Sequence, residues 1–189
     1  QKNIIDGMLN LFKAAGIIPE GICLSTETIL NWFLLRNKPD DTALYVLVDV
    51  DSSFSELLVC RGKEILFTRP FEHGAFSLHK CKTPQEINLW IGIFKEQLRV
   101  SYISFKKEYQ KEQEKVENIF LAGAIPETAV DTIKRNLFKE FNVPVELCGY
   151  NQQNNYPVSL SNVAGMAYNQ QAIKINIIPS DLKLKRLRK

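Results

Sequence analysis

One stretch of the chain combines residue types that can bind a phosphate or a cation. Asp49 comes directly after the apolar run 43–48, and Ser52 and Ser53 follow in a turn. A carboxylate at the end of a strand can hold a metal ion or a water molecule, and serine hydroxyls can donate to phosphate oxygens. Aspartate and serine are also ordinary turn residues, so a purely structural role for these three residues stays open.

Other residues with metal-binding or nucleophilic side chains do not form a site in the sequence. Cys60, His73, His79 and Cys81 could be taken as zinc ligands, but their spacing matches no zinc pattern. With only two histidines, both in one region, no Ser-His-Asp or Cys-His arrangement is credible. Scattered cysteines without a CxxC pair are typical of a reduced, cytosolic protein. We therefore predict no catalytic residue and no metal site.

The end of the chain places a short apolar peptide before a basic run. The peptide consists of Ile175, Asn176, Ile177, Ile178 and Pro179. Five of the last seven residues are basic, namely Lys183, Lys185, Arg186, Arg188 and Lys189. The whole chain carries +3, so without those five charges the remaining residues carry −2. The basic character therefore lies in the tail and not in the body.

This tail has three interpretations. An apolar peptide can add to a sheet edge or lie in a groove, and a basic run is attracted to anionic lipid head groups. A disordered, solvated terminus is the alternative, although it would leave an apolar cluster exposed. Nucleic-acid binding ranks last because the body offers no aromatic or basic platform, and we predict no nucleic acid. No apolar stretch of the sequence reaches the roughly 18 residues that span a bilayer.

The apolar pattern predicts an α/β fold. Helical spacing covers 2–14 and 26–35, with a broken strand over 17–24 between them. Three strands with short links, the last stopped by Pro70, predict an antiparallel meander over 43–48, 56–60 and 65–68. Thr83, Pro84 and Glu86 form a capping box that starts a long helix, which could reach Val116. The predicted order then continues with a strand at 119–122, a helix at 128–141 with Val130, Ile133, Leu137 and Phe138 inward, a strand at 143–147 and a helix at 158–168.

This order resembles one lobe of the ribonuclease-H-like, actin-like ATPase fold, in which helices flank a mixed sheet. Residues 46–53 resemble the second phosphate loop of that superfamily, and residues 119–126 resemble its adenosine loop. The resemblance implies that Asp49, Ser52, Ser53 and Gly123 lie beside a nucleotide. It also implies ATP and magnesium as cofactors of an intact parent protein.

Within the superfamily the chain resembles the PilM family of type IV pilus assembly and the cytoplasmic domain of the GspL family of type II secretion. Ala14, Ala15 and Gly16 resemble the segment leading into the second lobe of PilM, and residues 138–146 and 161–168 resemble its later elements. Residues 175–179 resemble the INLLP-type peptide of PilN, the membrane partner of PilM. The resemblance implies a cytoplasmic scaffold of an inner-membrane assembly platform, with platform proteins as partners and self-association as a further expectation.

Three departures from the family weaken the nucleotide hypothesis. Asp51 stands where the family often has glycine, and it adds a negative charge beside a phosphate. The predicted adenosine loop has Gly123 alone where the family has more glycines. The stretch 73–83 is too short for an extra subdomain, and the first lobe is largely absent. The alternative function is therefore an ATPase-like domain that is active only with its missing first lobe.

The predicted organisation has three parts. Residues 1–38 form a remnant of a preceding lobe, residues 39–172 form the actin-like second lobe, and residues 173–189 form a docking peptide with a basic tail. We expect the chain to be a fragment of a longer protein that joins PilM-like and PilN-like parts. The tail would then lead to a membrane-spanning segment beyond Lys189, on the cytoplasmic face of the inner membrane.

Overall fold

The computed structural model describes residues 2–19, 21–109, 115–148, 157–168, 175, 176 and 178. Within them, five strands form one sheet in the order β3-β2-β1-β4-β5. β1, β2 and β3 pair antiparallel, whereas β1 with β4 and β4 with β5 pair parallel. The elements are α1 (Lys2–Ala14), α2 (Ser25–Leu34), β1 (Leu44–Val50), β2 (Ser55–Arg61), β3 (Glu64–Phe71), α3 (Ala75–Lys80), α4 (Pro84–Tyr109), β4 (Asn118–Gly123), α5 (Glu127–Phe141), β5 (Val145–Leu147) and α6 (Ser161–Tyr168).

Helices cover both faces of the sheet because the central strand is apolar on both sides. Every residue of β1 is buried, as its continuous apolar run predicts. Val46 and Val48 belong to a core cluster with residues of α3, α4 and α5. Tyr45 and Leu47 face the other way and pack in a second cluster with Phe33 of α2. The division predicted after residue 38 falls between α2 and β1, which share this second cluster, and it stays a prediction.

The capping box predicted for the long helix is confirmed. The Thr83 hydroxyl accepts a hydrogen bond from the Glu86 backbone N–H at 3.3 Å, and the Glu86 carboxylate accepts from the Thr83 N–H at 3.0 Å. These reciprocal bonds satisfy backbone donors that have no partner within the helix. The helix ends earlier than the predicted limit, because residues 115–117 are not helical and Val116 packs in the core.

Two predictions about strands are wrong. No residue described between 17 and 24 lies in a strand, and Pro19 cannot donate a ladder hydrogen bond there. Pro70 does not stop β3 but lies inside it, opposite Glu56 of β2. β3 is the edge strand of the sheet, so the missing N–H of proline is tolerated on its unpaired side.

One prediction about a helix is also wrong, and one helix was not predicted. The stretch 73–83, described above only as too short for an extra subdomain, contains α3, whose first turn is bonded to the loop after β1. Phe138 is half-exposed instead of inward-facing, and Ala129 takes a place in the core with Ile133 and Leu137. The side of α5 that faces the core is therefore rotated slightly about the helix axis from the predicted side.

Candidate functional site

The predicted site residues meet where the parallel strands β1 and β4 end. Asp49 is paired with Ala122 across the two strands, and Val50 is paired with Gly123. Gly123 has φ +95°, and a Cβ at this position would collide with the backbone of Val50. Glycine is therefore required here by the close approach of two strands. In open α/β sheets, ligands bind outside such carboxyl ends of strands.

Asp49 does not face solvent at this corner, because the chain's own polar groups enclose it. Its side chain is buried, with the residue 2% exposed. The Ser159 hydroxyl donates to its Oδ1 at 2.7 Å, and the hydroxyls of Ser159 and Ser161 lie 2.8 Å apart. Burial raises the pKa of Asp49 to about 6, although the hydrogen bonds from both serines favour the ionised form. The nearby carboxyls of Asp51 and Glu56 raise it further.

Asp51 connects the turn after β1 to two other segments through hydrogen bonds. Its Oδ1 accepts the backbone N–H of Ser52 at 2.7 Å and that of Ser159 at 2.8 Å. Its carbonyl oxygen accepts the N–H of Ala75, at the start of α3, at 2.7 Å. The carboxylate that departs from the family pattern therefore binds backbone donors of the chain itself. Such donors are the groups with which a phosphate loop would hold a phosphate.

A second buried carboxyl lies next to Asp49 on the same face of the sheet. Glu56 of β2 is paired with Asp49 across the strands, and its Oε2 accepts the Ser25 hydroxyl at 2.6 Å. Burial raises the pKa of Glu56, and the bond from Ser25 opposes that effect in part. Thr28 of α2 donates to the Asn162 side chain of α6 at 2.6 Å. A hydrogen bond thus joins the first turns of α2 and α6 over the end of the sheet.

The four residues predicted to contact a nucleotide therefore have different environments. Asp49 and Gly123 lie inside the corner, Ser52 is half-buried in the turn, and Ser53 is exposed. Sequence reasoning missed Ser159, which bonds to both Asp49 and Asp51 across more than a hundred residues. The polar residues that alternate with Val158 and Leu160 could have pointed to Ser159, but the apolar pattern predicts the start of a helix in this stretch.

The apolar tail peptide contacts the segment between α1 and α2. Asn176 Oδ1 accepts the backbone N–H of Ile22 at 3.1 Å and also that of Ile178 at 3.1 Å. Ile178 is buried, and the Ile175 N–H donates to Glu27 at 3.2 Å. A Cβ on Gly21 would lie 2.7 Å from the Asn176 amide nitrogen, so glycine leaves the space for this side chain.

The rest of the predicted tail site lies outside the described residues. This applies to two members of the peptide, Ile177 and Pro179, and to the whole basic run, Lys183, Lys185, Arg186, Arg188 and Lys189. In the described part of the chain, no helix is long and apolar enough to cross a membrane.

The histidines have structural partners. His73 Nε2 lies 3.0 Å from the Trp90 carbonyl oxygen, and His79 Nε2 lies 2.8 Å from that of Ala124. A carbonyl only accepts, so each Nε2 carries the proton in these bonds. Among the described residues, no group of three His, Cys, Asp or Glu side chains is arranged to hold a metal ion.

Comparison with known proteins gives similarity in structure but not in sequence. No protein-family model matches the chain, and no curated protein matches it significantly. A chain of a PilM–PilN type IV pilus biogenesis complex superposes with a TM-score of 0.67 and 13% identity, over 90% of this chain and 58% of that chain. The chain thus spans less than two thirds of the length of this neighbour.

Two further neighbours match with lower scores. A Bacteroides thetaiotaomicron protein with an actin-like ATPase fold gives a TM-score of 0.43 and 12% identity, over 76% of this chain and 44% of that one. Ethanolamine utilization protein EutJ from Carboxydothermus hydrogenoformans gives 0.45 and 9%, over 73% and 53%. The predicted fold class is confirmed: the chain has an actin-like ATPase fold, with a mixed five-stranded sheet and flanking helices.

Proposed function

We propose that this chain is a scaffold domain at the cytoplasmic face of the inner membrane, in a type IV pilus or type II secretion assembly platform. It would bind partner proteins and carry out no catalysis. The proposal rests on one observation, the packing of the tail peptide. The Asn176 side chain lies against Gly21 and accepts a hydrogen bond from the backbone N–H of Ile22. The structural likeness to a chain of a PilM–PilN type IV pilus biogenesis complex supports the same proposal.

The contacts define what a docked peptide must offer. An asparagine side chain must accept two backbone N–H groups, as Asn176 does for Ile22 and Ile178. A backbone N–H one residue earlier must reach Glu27, and an apolar side chain two residues later must be buried. The partner we infer is therefore a platform protein that presents an Ile-Asn-x-Ile peptide whose asparagine accepts the backbone N–H two residues later. In this chain residues 173–189 would supply such a peptide in cis.

A binding experiment with a labelled peptide tests the docking site. A fluorescent peptide with the sequence of residues 173–180 is titrated with the wild-type chain and with Ile178→Asp, whose own tail is released. We expect tighter binding to Ile178→Asp, because the wild-type tail competes for the site. Added to Ile178→Asp, the second change Gly21→Val should weaken peptide binding about tenfold or more. The asparagine side chain of the peptide then loses its space and its hydrogen bond.

A matched peptide provides the control. Replacing its asparagine by alanine removes two hydrogen bonds and should weaken binding about tenfold. A valine in place of its exposed Ile175 keeps the N–H that reaches Glu27 and should leave binding unchanged. Equal affinity of the asparagine and alanine peptides, or no effect of Gly21→Val, would contradict the proposed dock.

Nucleotide binding by an intact two-lobed parent is the second candidate function. It is favoured by the convergence of Asp49 and Gly123 at the ends of two parallel strands. The bonds from Ser159 and the burial of Asp49 argue against it in this chain. Thermal unfolding of the longer parent protein with and without Mg-ATP separates the two functions. A stabilisation that is lost in Asp49→Ala would favour the ATPase-like function, and no stabilisation of the parent would count against it.

A further inference from the structure

An apolar cavity of about 50 Å³ lies between the sheet and the helices α4 and α5. Val46 and Val59 of the sheet and Leu98 of α4 are among the residues that line it. Protein interiors hold few voids larger than a water molecule, so a cavity of this size has room for a ligand. It is separate from the corner at Asp49, because Val46 precedes Asp49 by three residues in β1 and their side chains lie on opposite faces of the sheet.

The cavity opens to the surface between α4 and the end of α5. Val59 is fully buried at its inner side. Three other lining residues are only partly buried, namely Tyr102, Phe141 and Val143. A ligand can therefore reach Val59 by passing between these three side chains.

The lining favours an alkyl chain over water. Among the described residues that line the cavity, Tyr102 alone has a polar side chain. A buried water needs about two to four polar partners, which this lining does not offer. About 10–15 Å³ holds one water-sized group, so the cavity has room for roughly four such groups. An unbranched chain of about four carbon atoms has this size.

A positive charge lies beside the opening. Lys106 Nζ lies 4.9 Å from the centroid of the Tyr102 ring, a distance typical of a cation–π contact. The nearby carboxylate of Glu140, which precedes Phe141, is bound to Lys95 at 2.9 Å. The charged residues on either side of Val116, another lining residue, have opposite signs and offset each other: Lys115 and Glu117.

We propose that the cavity binds a small amphiphile with an anionic head group, of which a short-chain carboxylate is the simplest form. The chain fills the cavity as far as Val59, and the carboxylate lies at the opening near Lys106. The proposal does not depend on the platform function or on the tail peptide. So short a chain buries little apolar surface, and we therefore expect a dissociation constant for pentanoate on the order of 1 mM.

Methyl NMR of the full chain, during titration with sodium pentanoate at constant ionic strength, tests the site. We expect saturable shifts of the methyl signals of Val46, Val59 and Leu98, and no comparable change for Val163, which is exposed on α6. Sodium acetate has the head group without the chain and should not produce these shifts. No saturable shift up to about 20 mM pentanoate, or equal shifts with acetate, would overturn the proposal.

Two variants that fill the cavity test whether the chain lies inside it. Val59→Ile and Val46→Ile each add one methyl group to the lining, and each should weaken pentanoate binding about fourfold or more. Val163→Ile adds the same group to the exposed surface of α6 and should leave the affinity unchanged. An affinity that is unchanged in the filled variants would show that the chain binds elsewhere and would refute the proposal.

Ligands that differ in charge test the role of Lys106. We expect pentanoate to bind more tightly than 1-pentanol, and pentylamine to bind about threefold more weakly than pentanoate, since Lys106 attracts a carboxylate and repels an ammonium group. Lys106→Gln should remove this order, whereas Lys107→Gln, the same change at the next residue of α4, should keep it. A wild-type chain that does not prefer pentanoate, or a preference that persists in Lys106→Gln, would contradict the anionic ligand.

Discussion

Asp49→Asn probes the enclosed corner directly, because it removes a charge and keeps the shape. The asparagine retains an Oδ1 that accepts the Ser159 hydroxyl. Burial raises the pKa of Asp49 from 3.8 to about 6. One pKa unit corresponds to about 1.4 kcal/mol, so ionisation of Asp49 lowers the free energy of unfolding by about 3 kcal/mol at neutral pH.

The pH dependence follows from the sign of that shift. The folded-state pKa lies above the unfolded one, so between about pH 4 and pH 6 the folded protein binds more protons than the unfolded chain. The stabilising contribution of protonated Asp49 is present below pH 4 and is lost as pH rises through about 6. Asparagine does not titrate. The stability of Asp49→Asn relative to wild type should therefore increase by about 2.5 kcal/mol from pH 4 to pH 7.5.

Urea unfolding followed by circular dichroism measures this difference at several pH values. Subtracting wild type from the variant cancels the contributions of groups that lie far from Asp49. Asp131→Asn removes one exposed carboxylate from α5 and serves as the control for loss of charge alone. A difference for Asp49→Asn that is constant within about 0.5 kcal/mol from pH 4 to pH 7.5 would refute the burial of an ionisable Asp49.

Further predictions concern packing and capping, and urea unfolding measures each of them. Gly165→Ala should lower the free energy of unfolding by about 2 kcal/mol or more, because its Cβ would collide with Thr28. Gly7→Ala is its control and should be neutral or stabilising by up to about 1 kcal/mol, since that Cβ would meet nothing within 4 Å. Thr83→Ala removes the cap of α4 and should lower stability by about 1 kcal/mol, with an unchanged value speaking against the capping box. Val59→Ile should raise stability by about 1 kcal/mol, because Val59 lines an apolar cavity of about 50 Å³ between the sheet and α4. A loss of stability would show that the cavity cannot take the added methyl group.

Local sequence signals predicted most elements of the fold correctly. The apolar run before Asp49 and the short links between the next strands predicted the meander, and the capping box at Thr83 predicted the start of α4. Such signals act over a few residues, so they can be recognised in the chain itself. Pro70 was misjudged because its tolerance depends on β3 being an edge strand, which is a property of the assembled sheet.

The sequence by itself determined the alternation of strands and helices, and it singled out Asp49 and the peptide around Asn176. Only the tertiary structure decided what these residues contact. Ser159 encloses Asp49 from 110 positions away, and Asn176 bonds to Ile22 from 154 positions away. Spacing in the chain carries no information on such pairs, because they meet only after the sheet and its covering helices have packed. The structure therefore gives Asp49 a buried, hydrogen-bonded environment and seats Asn176 against Gly21.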